Sequence, residues 1–203
     1  MGTYGKKDFF FVAIIGFAVG WLVLLPLGNI GLSISPAIVF ASVVGFSVFA
    51  PAALFALKLL ARVWPVFEQF GKFAAVGTLN TLIDIGILNL FIMMTGIASG
   101  LAYAGFKAAS FLAATTNSYF WNKFWTFESE TGVTGNEYAK FLFFTLIGTT
   151  INVLVASAIV NLITPPSFIS ENLWANIGAL VAVAASFMWN FLSYRLVIFR
   201  KQK

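Results

Sequence analysis

The sequence predicts an all-α polytopic membrane protein with about six transmembrane helices, an N-terminal hairpin followed by a two-hairpin parallel internal repeat. Three observations lead there. The 203 residues are 60% hydrophobic and only 9% charged, with a mean hydropathy of +0.94, whereas soluble domains carry roughly 25% charged residues. Six apolar segments are long enough to cross a hydrocarbon layer about 30 Å thick. The basic residues, finally, collect at one end of these alternating segments.

The segments run approximately over 9–28, 37–61, 72–95, 101–124, 139–163 and 172–198. The basic start MGTYGKKDFFF resembles a signal peptide, but the apolar run behind it is too long and lacks a small-residue cleavage site, so a retained first span is expected. Lys6 stands where a myristoylation signal needs Ser or Thr. The turn PLGNIGLSISP is neutral and rich in turn formers. Pro51 is expected to kink the second span. RVWPVFEQFGK, over 62–72, reads as a short interfacial connector. The domain reading is therefore a hairpin and linker over 1–68 and a four-helix domain over 69–203.

Of twelve basic residues, Lys6, Lys7, Lys58, Arg62, Lys72, Lys123, Lys140, Arg195, Arg200, Lys201 and Lys203 share one side. The positive-inside rule makes that side cytoplasmic, with both termini inside and the loop ESETGVTGNE cytoplasmic. Glu171 is the one charge expected in the outer loops. A multi-pass location in the cytoplasmic, or inner, membrane is expected. Lys107, on the fourth span, is the exception to the one-sided distribution.

The chain also repeats itself. QFGKFAAVGTLNTLID aligns with EYAKFLFFTLIGTTIN at an offset of 68, placing Lys72 on Lys140, Phe73 on Phe141 and Asp84 on Asn152. NKFWTF aligns with YRLVIF, with Lys123 on Arg195 and Phe127 on Phe199. Two hairpins of two spans each have the same orientation, a construction used by transporters and also by simple bundles.

Histidine and cysteine are absent, which removes Ser-His-Asp and Cys-His catalysis, thiolate or imidazole metal sites and disulfides. No phosphate-cradling loop or dinucleotide fingerprint is present, and the basic residues form no soluble nucleic-acid-binding module. The reading is of a protein that is not an enzyme, with no cofactor, no metal and no nucleic-acid partner.

Candidate functional residues are polar groups placed inside apolar spans. Gly77, Asn80, Thr81 and Asp84 share one face of the third span, with Asn89 beyond them. Asp84 lies about 18 Å along the helix from Lys72, near mid-membrane, where an ionisable group is costly and faces protein or a water-filled cavity. Lys107, Ser110, Ala114, Asn117 and Trp121 share a face of the fourth span. Lys107 needs an outward path or a carboxylate, and Asp84 is the intramembrane carboxylate within reach. Gly148, Thr149 and Asn152 on the fifth span, and Asn176, Val183, Ser186, Phe187 and Asn190 on the sixth, add further polar positions. Each amide can equally join helices, since polar side chains hydrogen-bond across membrane helix pairs. Lys72, Lys123, Lys140 and Arg195 end the four repeat spans among Trp121, Trp125, Trp189 and Tyr194. They suit either an ordinary interfacial belt or a headgroup-phosphate pocket.

KFAAVGTLNTLIDIGILN, NSYFWNKFWTF and the second copy ending in MWNFLSYRLVIF resemble the GtrA-like membrane protein family over about residues 69–200. The family's G…N…D head maps onto Gly77, Asn80 and Asp84, and its Asn-basic…Phe tail onto Asn122, Lys123 and Phe127. Tyr194 stands in place of the asparagine in the second copy, and the front hairpin is additional to the usual four spans. The resemblance implies polyprenyl-phosphate sugars as substrate class.

The expected function is translocation of such a lipid for cell-envelope polysaccharide synthesis or modification. Asn80, Asp84, Lys107, Asn117, Asn152 and Asn190 are the expected sugar and headgroup contacts, and Lys72, Lys123, Lys140 and Arg195 the phosphate contacts. Two other readings stay open: a membrane anchor for a glycosyltransferase, and a proton-coupled small-molecule exporter working through Asp84. The expected partners are the polyprenyl-phosphate-sugar, membrane lipids, a membrane-associated glycosyltransferase and a second copy of the chain.

Overall fold

A computed structural model describes residues 4–29, 32–168 and 170–200. The described residues are helices and short connectors, and the protein is a multi-pass membrane protein. Five helical stretches are long and apolar enough to cross a membrane: Lys6–Gly28, Pro36–Ala61, Val66–Thr95, Gly135–Leu162 and Trp174–Ile198. The helix Gly100–Trp121 has 22 residues but lower hydropathy, because Lys107, Ser110, Thr115, Thr116 and Asn117 interrupt its apolar character. Lys201, Lys203, the start at 1–3 and residues 30–31 of the first turn lie outside the described residues.

The chain forms two compact units, Met1–Glu128 and Ser129–Lys203. In the first, α1 (Lys6–Leu22) and α2 (Leu24–Asn29) together make the first span, α3 (Pro36–Ala61) the second, α4 (Val66–Thr95) the third and α5 (Gly100–Trp121) the fourth. α1 starts with a one-sided cap, in which the Gly5 amide donates to Asp8 Oδ2 at 2.8 Å. Ser35 caps α3, accepting from the Ile38 amide at 3.3 Å, with Pro36 as the first helical residue. α4 ends at Gly96, whose φ of 71° is the left-handed conformation that suits glycine at a helix terminus.

α1 and α3 approach closely because α1 carries Gly16 and Gly20 four residues apart. A Cβ at Gly20 would lie 2.6 Å from Val43 Cα, so only a glycine face permits this separation. Ser42 Oγ then reaches across to donate to the Gly20 carbonyl at 2.7 Å. Val12, Ile15, Val19, Leu54, Val76, Leu79 and Trp125 form the buried cluster of this unit. The N-terminal hairpin thus packs directly on α4. An apolar cavity of about 200 Å³ remains among α1, α3 and α4, lined by Val12, Phe46, Leu54, Ala75 and neighbours.

Two expectations change. The interfacial connector expected over 62–72 shrinks to the turn around Val63 and Trp64, because α4 already begins at Val66. Pro65 at its N-cap has φ −56°, compatible with helix entry, so the Phe67–Lys72 portion winds into α4. The fourth span also ends differently: its α-helix stops at Trp121 and continues as a π-helical turn, π1 (Asn122–Thr126). The Phe127 amide donates to the Asn122 carbonyl at 2.9 Å, which closes the wider turn.

The second unit contains α6 (Gly135–Leu162), α7 (Glu171–Ser193) and π2 (Tyr194–Ile198). Thr134 caps α6 by accepting from the Glu137 amide at 3.2 Å. Here the Phe199 amide donates to the Tyr194 carbonyl at 2.8 Å. Both hairpins of the repeat therefore end in a π turn at aligned positions. Phe73 meets Phe127 with ring centres 6.4 Å apart, and their counterparts Phe141 and Phe199 lie 6.0 Å apart. All four rings are buried.

Candidate functional site

The polar groups of the first unit fall into three tiers along α4. The deepest is built on Asp84. Lys107 Nζ forms an ion pair and hydrogen bond with Asp84 Oδ2. Ser110 Oγ lies 2.5 Å from Asp84 Oδ1, while it is also 3.0 Å from the Lys107 carbonyl. Lys107 and Ser110 are three residues apart, so they share a face of α5 and reach one carboxylate from the same side. The Asp84 side chain keeps 22% of its surface exposed and Lys107 45%. Ser110, placed by the sequence on the same face as Lys107, holds the second oxygen of Asp84 across the helix pair.

One turn away, Asn117 Nδ2 donates to Asn80 Oδ1 at 2.7 Å. Asn80 is 9% exposed, and its own Nδ2 has no partner among the described residues. The Asn80 amide thus has both donors unfilled within one turn of an ion pair.

The third tier lies eight residues before Asn80. Lys72, 3% exposed, holds Asp8 Oδ1 and Glu128 Oε1, each at 2.9 Å. Trp125 Nε1 donates to the same Asp8 oxygen at 2.9 Å. Lys72 also lies 5.9 Å from the centre of the Trp125 ring. Nearby, Tyr4 donates from its hydroxyl to the Phe67 carbonyl at 2.7 Å and the Glu68 carbonyl at 2.8 Å. Burial pushes the Tyr4 phenol above its ordinary range, so it remains a donor. Lys58 Nζ in turn donates to the Tyr4 carbonyl at 3.1 Å. Sequence reasoning did not select Asp8 or Glu128. Their signal was weak, since both carboxylates stand at element ends, where charge is ordinary.

The remaining expected residues have other surroundings. Lys123 is fully buried within π1 and lies 6.0 Å from the centre of the Phe124 ring. Thr81 and Asn89 turn back on their own helix, donating to the Gly77 carbonyl at 3.0 Å and the Ile85 carbonyl at 2.8 Å. In the second unit, Asn152 Nδ2 donates to Ser186 Oγ at 3.4 Å. Asn190 packs its amide on Gly148, where a Cβ would collide with it, and its Oδ1 has no partner among the described residues. Trp189 Nε1 donates to the Phe144 carbonyl at 3.1 Å, and the Thr145 and Tyr194 hydroxyls are 2.6 Å apart. Lys140 is exposed and Arg195 half-buried. Among the described residues there is no group of three or more metal-ligating side chains.

No solved structure matches the chain. A membrane protein of Bacillus subtilis (strain 168), YngA, described as uncharacterized, is 32% identical over 132 residues, spanning 65% of this chain and 80% of its own. The model of the GtrA/DPMS transmembrane domain matches residues 72–199, from the buried Lys72 to the phenylalanine that closes the second π turn, and the chain belongs to that family.

Proposed function

We propose that this protein carries a polyprenyl-phosphate-linked sugar across the cytoplasmic membrane, with the lipid tail left in the bilayer while the headgroup passes along α4 and α5. The observation that carries this reading is the ladder of polar groups inside an apolar span. Lys72, Asn80 and Asp84 lie eight and four residues apart on α4, about 12 and 6 Å of helical rise. Each rung of the ladder has a bonded partner. Such groups are expensive in hydrocarbon and are kept where they meet one another, water or a polar ligand. Family membership supports the coarser statement, a membrane protein associated with polyprenyl-phosphate-sugar handling.

In this reading Lys72 and Lys123 in the first unit, and Lys140 and Arg195 in the second, each favour phosphate at the cytoplasmic end of their own hairpin. Asn80 and Asn117 then hydrogen-bond sugar hydroxyls. The Asp84–Lys107–Ser110 group offers a carboxylate and a cation that exchange partners with the headgroup without leaving a bare charge in the membrane. Asn152 and Asn190 would serve in the second unit. No covalent step is required, and the role of the protein is to replace water around the moving headgroup.

The test is transport by purified protein in vesicles with a headgroup-labelled polyprenyl-phosphate-sugar. Protein-dependent movement, slowed at least tenfold by Asn80→Leu in folded protein, is the expected result. Tight lipid binding without movement would overturn transport and leave an anchor for a glycosyltransferase. Movement of a small solute that follows an imposed proton gradient would instead make it an exporter.

A further inference from the structure

Asp8 belongs to the added hairpin, yet its carboxylate is held by two donors that belong to the family domain or its rim. Lys72 Nζ and Trp125 Nε1 both lie 2.9 Å from Asp8 Oδ1. Both side chains are buried, at 3% and 4% exposure. An ammonium and an indole N–H have donors and no acceptor, so the position where they converge accepts an anion and little else. The opposite carboxylate on Lys72, from Glu128, is 61% exposed, and solvent can take it up when it lets go.

The repeat supplies a comparison within the same chain. Lys140, the counterpart of Lys72, is exposed. Val197 takes the place of Trp125 at the offset that aligns NKFWTF with YRLVIF. Among the described residues, the second unit therefore has no indole at the aligned position.

We infer that Lys72 and Trp125 form a binding site for the phosphate of a lipid headgroup, and that Asp8 occupies it as a tethered carboxylate that the phosphate displaces. This rests on the transport reading for its choice of ligand. The added hairpin is then a competitor of lipid loading, and binding is an exchange of one anion for another. A phosphate brings more acceptor oxygens than a carboxylate, so it satisfies both donors while its ester oxygen leads to the lipid.

The experiment uses the full chain in zwitterionic-lipid nanodiscs, with a radiolabelled polyprenyl monophosphate as probe and the uncharged polyprenol as control. Asp8→Asn removes the charge, while its amide oxygen still accepts from Trp125. It should bind the monophosphate about tenfold tighter than the unaltered protein, with polyprenol binding unchanged. Adding Lys72→Met to Asp8→Asn should return the monophosphate to the affinity of polyprenol. Equal or weaker monophosphate binding by a folded Asp8→Asn protein overturns the inference. Should that variant fold poorly, the indole N–H resonance of Trp125, assigned through Trp125→Phe, is followed in the unaltered protein. A shift on adding monophosphate but not polyprenol supports the site, and an unmoved resonance overturns it. Transport that persists while neither readout responds removes the inference and keeps the transport reading; no monophosphate binding in any variant brings down both.

Discussion

Asp84 accepts from Lys107 and Ser110 at once, so a substitution at each position removes a different share of the same group. Lys107→Met leaves a carboxylate with one hydroxyl partner and no counter-charge. Asp84→Asn keeps an oxygen for Ser110, and Lys107 retains the exposure to find another acceptor. Lys107→Met should therefore destabilise more, by about 1–3 kcal/mol, because a half-buried carboxylate loses its counter-charge. The double change Asp84→Asn with Lys107→Met should recover most of the loss in thermal unfolding in detergent. Equal loss in both single variants, with no recovery, would contradict the pair. For Asn80 and Asn117, a double-mutant cycle to leucine should give a coupling of about 0.6–1.7 kcal/mol, as for other hydrogen bonds between membrane helices. The pairing of Asp84 with Lys107 was legible in the sequence because intramembrane charges are few and each demands a partner. The Asp8–Lys72 bond was not, since Asp8 follows Lys6 and Lys7 in an ordinary helix start and its partner Trp125 is 117 residues away.

At the scale of elements, packing is decided by small residues and by one wide turn. Gly20→Ala puts a methyl group 2.6 Å from Val43 Cα, so α1 and α3 must separate, at a cost of about 1–3 kcal/mol. Gly45→Ala, with nothing within 4 Å of its Cβ, should be neutral or slightly stabilising. Comparing the two unfolding midpoints isolates the close contact from helix propensity. The spacing of Gly16 and Gly20 held a signal for this contact that the sequence reading did not use, because small residues four apart let membrane helices approach. The π turns had no such signal. An i+5 hydrogen bond differs from an α-helical one by a single inserted residue, and an apolar tail conceals that change of register. Their purpose is legible once the rings are seen: the turn carries Phe127 onto Phe73 and Phe199 onto Phe141. Phe127→Ala should cost about 3–5 kcal/mol, the usual range for a buried phenylalanine, measured against the unaltered protein in the same detergent.

At the scale of the whole chain, the family domain covers residues 72–199 and the hairpin before it packs on α4. Segment length and hydropathy were enough to place the helices, since backbone in hydrocarbon has few options besides a helix, and five of them are apolar enough to cross a membrane. The fourth span is the least apolar because it carries Lys107, Ser110 and Asn117 toward α4. If basic residues set orientation as proposed, cysteines placed at Ser33, Gly100 and Ser167 should react with an impermeant reagent from outside, and one at Thr131 only from inside. A reversed pattern would reverse the loading face of the transport reading, and a mixed one would break the alternating topology. The central claim is that the polar ladder of α4 and α5 carries a headgroup. Its most direct measurement is the movement of a headgroup-labelled polyprenyl-phosphate-sugar in vesicles containing purified protein, comparing the unaltered chain with the Asp84→Asn, Lys107→Met double variant. The account predicts movement by the unaltered chain and, in a double variant that folds normally, bound lipid that no longer crosses. Undiminished crossing by that variant, or no crossing by the unaltered protein above empty vesicles, would contradict it.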